Sequence, residues 1–575
     1  MRATIQCPYC NKTADVLSES RIDSIKRIRL TLKCGHTYLE KLIAIEIPEG
    51  RDSKWNDFFK FQQEGIRFIE HANYKVLVAD EMGLGKTIQY QGALRYNFDG
   101  LTPCLIICKA SLIYQHMREY LKWVLEDNKI LSDRFDTMPI PIMDGQCTPI
   151  PGFQVYILSM DLLSKSKIQT WIQESGFKTI IIDESHHFKN LSSKRTTALN
   201  LSCKNVPYRI ALSGTPILNN TKEYFPTLNF IKPEHYPSET RFIRDYLEYD
   251  HGTKRWLGLK QWRRDEFFQR TSSYIIRREK KDVLKDLPPM RLNEQVVSSF
   301  DRTFATAYNK KLDELQEMLN TKKDDFGMKA GFIHILAKMS ELRHITGLAK
   351  VPAAFEYIQE FLDSTDSSSK ICIGIHHKDV AIWLQTLISS ICICGASREE
   401  HPTEVCTEFK SKYTPIMISG ADSPAAKQDK ENQFKLPENR IAICNILAVG
   451  EGRNFQFCAN FLVIESQWNQ EKENQFAGRF QRPIKCECGT PYIKITPDDG
   501  VPYYRCPKCN SSTDIVPIQG DYLNAANTID EFFVKLKQLK SKVVNSSMNW
   551  SFETDYSAIY QLAQEVVLAR MKAGV

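Results

Sequence analysis

Residues 76–89, VLVADEMGLGKTIQ, constrain the fold of this chain more than any other stretch. An apolar run enters a glycine-rich turn, and Lys86, Thr87 and a helix-forming segment follow. Small residues let backbone N–H groups approach phosphates, a lysine reaches the terminal phosphate pair, and a threonine hydroxyl can hold Mg²⁺. The helix that follows adds the positive end of its dipole at the same place. The candidate nucleotide-binding residues are therefore Asp80, Glu81, Met82, Gly83, Leu84, Gly85, Lys86 and Thr87. The general pattern G-x-x-x-x-G-K-[ST] asks for glycine where Asp80 stands. A glycine-rich turn also occurs without a ligand, so the reading depends on what the rest of the chain supplies.

At 575 residues the chain is too long for one core. Apolar and charged fractions of 42% and 25% are those of an ordinary globular protein. No apolar run reaches the length of a membrane span, and the N-terminus lacks a charged-then-apolar leader. The expected location is the cytosol, or the nucleus in a eukaryotic host. A net charge of +7 is a mild excess that suits a polyanionic partner. Basic clusters such as residues 277–281, RREKK, are interleaved with acids and read as solvated faces.

Apolar runs at 75–79, 104–108, 154–158, 179–182 and 209–212 alternate with amphipathic segments across residues 52–232. Such alternation predicts a parallel sheet covered on both faces, a first lobe. Residues 233–347 are charged and aromatic-rich and read as helical, without strand signals. A second α/β lobe spans 348–575, with strands expected at 370–375, 415–419, 441–445 and 461–465. It carries a cysteine-bearing insertion at 485–512 and ends in charged helical sequence, while residues 1–48 form a separate N-terminal module.

The strand at 179–182 ends in Asp183 and Glu184. A carboxylate at such an edge can hold Mg²⁺ while its neighbour polarises the attacking water. Asp183 is assigned to the metal with Thr87, and Glu184 to the water. Residues 209–216, RIALSGTP, end another strand with Ser213 and Thr215, whose hydroxyls can sense a γ-phosphate. Upstream, Gln62 has a carboxamide able to pair with both Hoogsteen-edge atoms of adenine. In the second lobe Gly450 and Gly452 follow a strand, and Gln475 opens QFAGRFQR, which spaces Arg479 and Arg482 one helical turn apart. Paired arginines on a separate domain would act as arginine fingers when the domains close. Taken alone, the SGTP segment is an ordinary strand-end turn and the arginines a surface pair.

The ordered set DEMGLGKT, DESHHFKN, SGTP, GEGRN and QFAGRFQR resembles the Swi/Snf-type DNA-dependent ATPases of helicase superfamily two, over about residues 58–542. Residues 105–123, 275–289 and 528–531 resemble that family's connecting motif, inter-lobe linker and C-terminal brace. Residues 342–351, LRHITGLAKV, are most like its small fork-remodelling or annealing branch and that branch's viral and bacterial relatives. Within the family Asp80-Glu81-Met82 is the expected lead-in. The resemblance implies two RecA-like lobes with helical protrusions, ATP bound in a cleft, and a motor stepping along duplex or branched DNA in repair, recombination or fork remodelling. Such binding is electrostatic and independent of sequence. Ser111, Ser159 and Asn190 match positions near the family's DNA track. Departures are Ser185 for Ala, Arg453 for an apolar residue, and Pro483-Ile484 for Ile-Gly-Gln. Two alternatives stay open: an RNA- or single-strand-directed helicase of the same superfamily, and a zinc-dependent nucleic-acid-binding scaffold with a nucleotide switch.

Seventeen cysteines in a reducing compartment argue for metal rather than disulfides. Cys486, Cys488, Cys506 and Cys509 form two tight pairs across an expected β-hairpin and suit tetrahedral Zn²⁺. Cys7, Cys10, Cys34 and His36, around an arm that reads as two strands, form a second Zn²⁺ candidate. Either module could touch DNA or a protein partner. Cys392, Cys394, His401 and Cys406 are spaced more loosely and read as buried thiols of a lobe-two strand. The expectation is thus an α/β chain of two RecA-like parallel-sheet lobes with helical insertions and small zinc-binding modules, a monomeric motor using ATP, Mg²⁺ and Zn²⁺.

Overall fold

A computed structural model describes residues 4–6, 13–22, 27–32, 37–41, 51–145, 149–214, 221–250, 255–298, 301–321, 329–394, 409–449, 453–467, 470–484, 486–488, 490, 492–497 and 501–531. Cys7, Cys10, Cys34, His36, Thr215, His401, Cys406, Gly450, Gly452 and the expected C-terminal brace helices lie outside the described residues. The chain forms two compact units, the first running to Glu279 and the second beginning at Lys280.

The N-terminal module is a four-stranded antiparallel sheet of β1 (Thr4–Gln6), β2 (Thr13–Ile22), β3 (Arg27–Leu32) and β4 (Thr37–Lys41), in that order. The arm between the two halves of the expected metal set is therefore strand β2 and strand β3.

The rest of the first unit is built on β5 (Lys75–Val78), β6 (Cys104–Cys108), β7 (Pro139–Ile142), β8 (Val155–Ser159), β9 (Thr179–Ile182) and β10 (Tyr208–Leu212). A hairpin, β11 (Leu247–Asp250) and β12 (Arg255–Leu259), stands apart, and β13 (Ile275–Ile276) returns to the sheet. The seven strands lie in the order β13-β5-β10-β9-β6-β8-β7, all parallel. CLIIC of β6, VYILS of β8 and TIII of β9 are buried at every residue, as central parallel strands covered on both faces must be. The PIPI strand sits at an edge, where a missing N–H breaks no ladder.

The second unit contains β14 (Met290–Val297), β15 (Ile371–Ile375), β16 (Ile416–Ile418), β17 (Ile441–Asn445) and β18 (Asn460–Val463). A small antiparallel sheet, β19 (Ile493–Ile495), β20 (Tyr503–Arg505) and β21 (Ser512–Asp514), precedes β22 (Ile518–Ala525). The main sheet has the order β14-β22-β18-β15-β17-β16 and is parallel throughout. Alternation along β15 sends Ile371, Ile373 and Ile375 to one face, with Ile358, Leu362 and Leu384 of flanking helices. Cys372 joins Phe434, Phe455, Phe461, Phe476 and Phe480 on the other.

Residues 233–347, expected to be helical, hold four strands among the described residues: the two of the hairpin, β13 and β14. MRLNEQVV of β14 gave no apolar pattern because six of its eight residues are exposed at the sheet's edge. Backbone pairing to β22 alone makes it a strand. Among the described residues, no helix is long and apolar enough to cross a membrane.

Candidate nucleotide site and cysteine module

All strands of a parallel sheet end on one edge, and the loops gathered there carry the chemistry. After β5 the chain turns through Gly83 (φ 95°) and Gly85 (φ 73°) into the helix Lys86–Tyr96. Both glycines use left-handed backbone that a side chain resists. A Cβ on Gly85 would also lie 2.5 Å from Gln62 Nε2. Gln62 is buried beside the loop: its Oε1 accepts the Phe59 N–H at 3.1 Å, and its Nε2 donates to Leu84 O at 3.4 Å. Lys86 is buried, with Nζ donating to Asp80 O at 3.1 Å. Gly214 faces it, where a Cβ would stand 3.3 Å from that ammonium. Thr87 occupies the first turn of the helix, half-buried.

Asp80, where the general pattern wants glycine, is fully buried. Its Oδ1 accepts from Arg278 Nε at 3.0 Å, while Oδ2 accepts from Arg278 Nη2 and from Gln89 Nε2 at 2.8 Å. A two-pronged guanidinium is the partner that makes a buried carboxylate tolerable. The backbone completes the join, with Ala79 N–H donating to Ile276 O at 2.7 Å and Glu81 N–H to Arg278 O at 2.9 Å. Arg278 is thus no solvated cation, as the interleaved cluster had implied; β13 delivers it to the phosphate loop.

Asp183 and Glu184 leave the end of β9. Asp183 Oδ1 accepts the Glu184 N–H at 3.0 Å. Its Oδ2 lies 3.0 Å from His116 Nε2, which must donate because a carboxylate can only accept. His116 Nδ1 lies 2.8 Å from the Tyr90 hydroxyl, completing a buried chain from the phosphate-loop helix to Asp183. Glu184 holds φ 52° and ψ 58°, left-handed backbone costing about 1–2 kcal/mol. Its Oε2 stands 3.3 Å from His186 Nδ1, and among the described residues this buried atom has no hydrogen-bond partner. Burial works against its ionisation, but His186, Lys86 and His187 prevail and keep the carboxyl far below the usual range. Ser213 Oγ lies 3.1 Å from the same His186 nitrogen, linking the ends of β9 and β10. The lysine in its glycine cradle, and a charged carboxylate with an open oxygen, fit Mg²⁺-bound nucleoside triphosphate. Sequence reasoning missed His116, Tyr90 and Arg278. A histidine at a buried position of its helix, with Ile113 and Tyr120, is the signal that could have found the first.

In the second unit, the helix Gln470–Ala477 stops before both arginines. Arg479 and Arg482 therefore do not sit one turn apart on a helix. Gly478 closes the helix, its N–H bonded to Asn474 O at 2.8 Å, and Pro483 disfavours helical backbone at Arg482. Phe480 anchors the segment between them, buried against Phe461 at 4.7 Å and Phe476 at 5.2 Å between ring centres. Arg479 is buried and Arg482 half-buried, and the Phe455 N–H donates to Arg479 O at 3.1 Å. Gln475 is buried and accepts from Lys472 Nζ at 3.2 Å. Arg453 has a packing role: its guanidinium donates to Gln428 Oε1 at 3.1 Å and Pro424 O at 3.3 Å.

The thiols of Cys486, Cys488, Cys506 and Cys509 lie within 4.8 Å of one another. Cys486 and Cys509 are 3.3 Å apart, and Cys488 and Cys506 3.5 Å. Tetrahedral Zn²⁺ with Zn–S of about 2.3 Å needs sulfurs about 3.8 Å apart, so the set fits. The Ser511 hydroxyl and the Cys488 N–H pull the Cys486 thiol down to about 6. The module has three strands, one more than the hairpin expected. Of the looser cysteine group, Cys392 is buried, whereas Cys394 is exposed rather than a core thiol.

The profile of the SNF2-related domain family matches residues 61–348. The chain is similar to the DNA annealing helicase and endonuclease ZRANB3 of Mus musculus, 25% identical over 496 residues, which cover 85% of this chain and 40% of that one. It is 32% identical over 262 residues to the DNA repair and recombination protein RAD54B of Gallus gallus, covering 41% of this chain and 28% of the relative. The Sulfolobus solfataricus SWI2/SNF2 ATPase core in complex with dsDNA aligns at 20% identity, over 91% of this chain and 99% of that one, with a TM-score of 0.38. The chain thus spans less than half the length of these curated relatives. With the family profile covering half its residues, from Gln62 through the phosphate loop and the Asp183–Glu184 pair to the linker, the chain belongs to the SNF2-related domain family.

Proposed function

We propose that this chain is an ATP-dependent translocase on double-stranded or branched DNA, acting in repair, recombination or fork remodelling. The observation that carries the reading is the edge of the first sheet, where buried Lys86, Asp183 and ionised Glu184 meet around a glycine cradle. Bound Mg²⁺–ATP supplies the phosphoryl group and the charge to be stabilised. The glycine loop and Lys86 bind the phosphates, and Gln62 lies beside the loop to read adenine. Thr87 and Asp183 hold the metal, with Asp183 kept in place by His116. Glu184 orients and polarises the attacking water, and Ser213 and Thr215 sense the terminal phosphate. Arg479 and Arg482 serve as the arginine fingers, in a segment shared with Gln475, and Gly450 and Gly452 complete the nucleotide-binding set. DNA is favoured as the track because both named relatives are described as DNA enzymes. The motor works as a monomer, in the cytosol or a eukaryotic nucleus.

We further assign Zn²⁺ to Cys486, Cys488, Cys506 and Cys509, and a second ion to Cys7, Cys10, Cys34 and His36. The deciding experiment is steady-state ATPase with duplex, forked and single-stranded DNA and RNA, beside Lys86→Ala. Stimulation by duplex or forked DNA, lost in the variant, is expected. Stimulation by RNA or single strands alone would favour the helicase alternative, and ATP binding without DNA-stimulated turnover the scaffold.

A further inference from the structure

Residues 286–289, Asp-Leu-Pro-Pro, lead into β14 and are held from three places. Gln481 Nε2, next to Arg482, donates to Pro288 O at 2.9 Å. The N–H of Lys494, in β19 of the cysteine module, donates to Asp286 Oδ1 at 3.0 Å. The N–H of Ile518, opening β22, donates to Pro289 O at 2.8 Å. The donors come from the residues just before, within and just after the module. The two prolines have no N–H to offer, so they can be fixed only as acceptors. The segment is thus acceptor-only at these three points, and every donor belongs to the module or its flanks.

The module cannot hold its own shape by burial. Its strands are three residues each, and β21 is exposed throughout. Small sheets of this kind need a larger apolar face or a metal to be ordered. Tyr504 and Cys506 are its fully buried side chains, and Cys488 and Cys509 are exposed. β19 pairs with β20, and the four thiols that flank this hairpin lie within 4.8 Å of one another.

We infer that Zn²⁺ at Cys486, Cys488, Cys506 and Cys509 closes a clasp on residues 286–289, and that this clasp positions the Arg479–Arg482 segment for turnover. Asp286 is its positioning residue, reached by the module and touching no thiol ligand. The inference rests on the ATPase reading above for its effect on rate, but its structural half is readable without activity. The chain enters the second unit through Lys280, Lys281 and Lys285, and Lys285 is exposed, so trypsin can report how firmly the following residues are held.

The test uses the full chain in three forms: wild type, Asp286→Ala and Cys506→Ser. Wild type should lose one equivalent of Zn²⁺ in Cys506→Ser, and none in Asp286→Ala. Asp286→Ala should speed tryptic cleavage after Lys285 and lower the DNA-stimulated kcat about tenfold with the KM for ATP within twofold. Asp286→Asn, which keeps an acceptor oxygen, should restore both. Stripping Zn²⁺ from wild type with EDTA should give the same cleavage, reversed on adding Zn²⁺. Unchanged Zn²⁺ content in Cys506→Ser would overturn the site. Wild-type cleavage and kcat in Asp286→Ala would overturn the clasp, even if Cys506→Ser fails to fold. A wild-type chain without DNA-stimulated turnover would overturn the ATPase reading, and the cleavage comparison would still decide the clasp.

Discussion

The two parallel sheets hold their functional edges in different ways. At the edge of the first, charged side chains are held by other side chains: Asp80 by Arg278, Asp183 by His116, Glu184 by His186. At the second, Glu465 at the end of β18 is paired with the His377 side chain and also accepts the backbone N–H groups of His376 and His377 at 2.7 and 2.8 Å. The arginines there sit on a turn pinned by an aromatic cluster and followed by a four-thiol module. Polar networks fix direction as well as place, so the first edge is preorganised to the atom. Aromatic packing fixes the place of the Arg479–Arg482 segment.

The comparison breaks first at the chemistry. Arg479→Ala should lower the DNA-stimulated ATPase by on the order of 10³ without loosening nucleotide binding, as for an arginine finger. Lys86→Ala should lose nucleotide binding along with turnover. Both are read from steady-state rates beside fluorescent-nucleotide titration, and equal loss of binding in the two would erase the contrast.

Next come the holding networks. Arg278→Ala leaves the Asp80 charge buried without its main partner and should cost about 3–5 kcal/mol in urea unfolding. Adding Asp80→Gly, the residue of the general phosphate-loop pattern, should recover most of that loss, a coupling read from the double-mutant cycle. Additive losses would show that the pair is not what holds the loop.

A smaller effect, with a defined pH signature, belongs to Glu465. Burial raises its pKa, yet the His377 side chain and two backbone N–H groups bring it down to about 2. A carboxyl depressed on folding contributes stability above its unfolded value and loses it as pH falls through the folded one. The contribution should therefore be complete at neutral pH and fade below about pH 4.3, to vanish near pH 2. Glu465→Gln should unfold about 3 kcal/mol more easily at pH 7, and the gap should close in acid. A gap independent of pH would mean that packing, not charge, is what Glu465 supplies.

What was legible in the sequence follows from the range of the interactions. The glycine loop, Lys86, and Asp183 with Glu184 are local patterns, and the continuous apolar strands β6 and β9 announce their own burial. Arg278 meets Asp80 across 198 residues, so nothing near either one shows the contact. β22 escaped because its central place is hidden by Gly520, Asp521 and Asn524; Asp521 is tolerated there through Asn293 Nδ2 at 3.0 Å and the Tyr357 hydroxyl at 2.5 Å. The arginine spacing misled because three residues fit a helical turn only if the helix continues, and Gly478 ends it.

Arg453 gives the finest test of the contrast. It is buried, and it is tied to the helix Pro424–Lys435 through Gln428, Pro424 and, at 3.7 Å, Glu431. Glu431 keeps a second partner, Lys435 at 3.0 Å, so removing Arg453 strands no lone charge. Replacing a buried ion by an apolar side chain of similar length is then close to neutral. Arg453→Met should shift unfolding by under about 1 kcal/mol and leave the DNA-stimulated rate within about twofold. A large loss of rate with stability intact would show that the guanidinium acts in turnover. The second edge would then hold a polar device used in turnover, beside the Glu465–His377 pair.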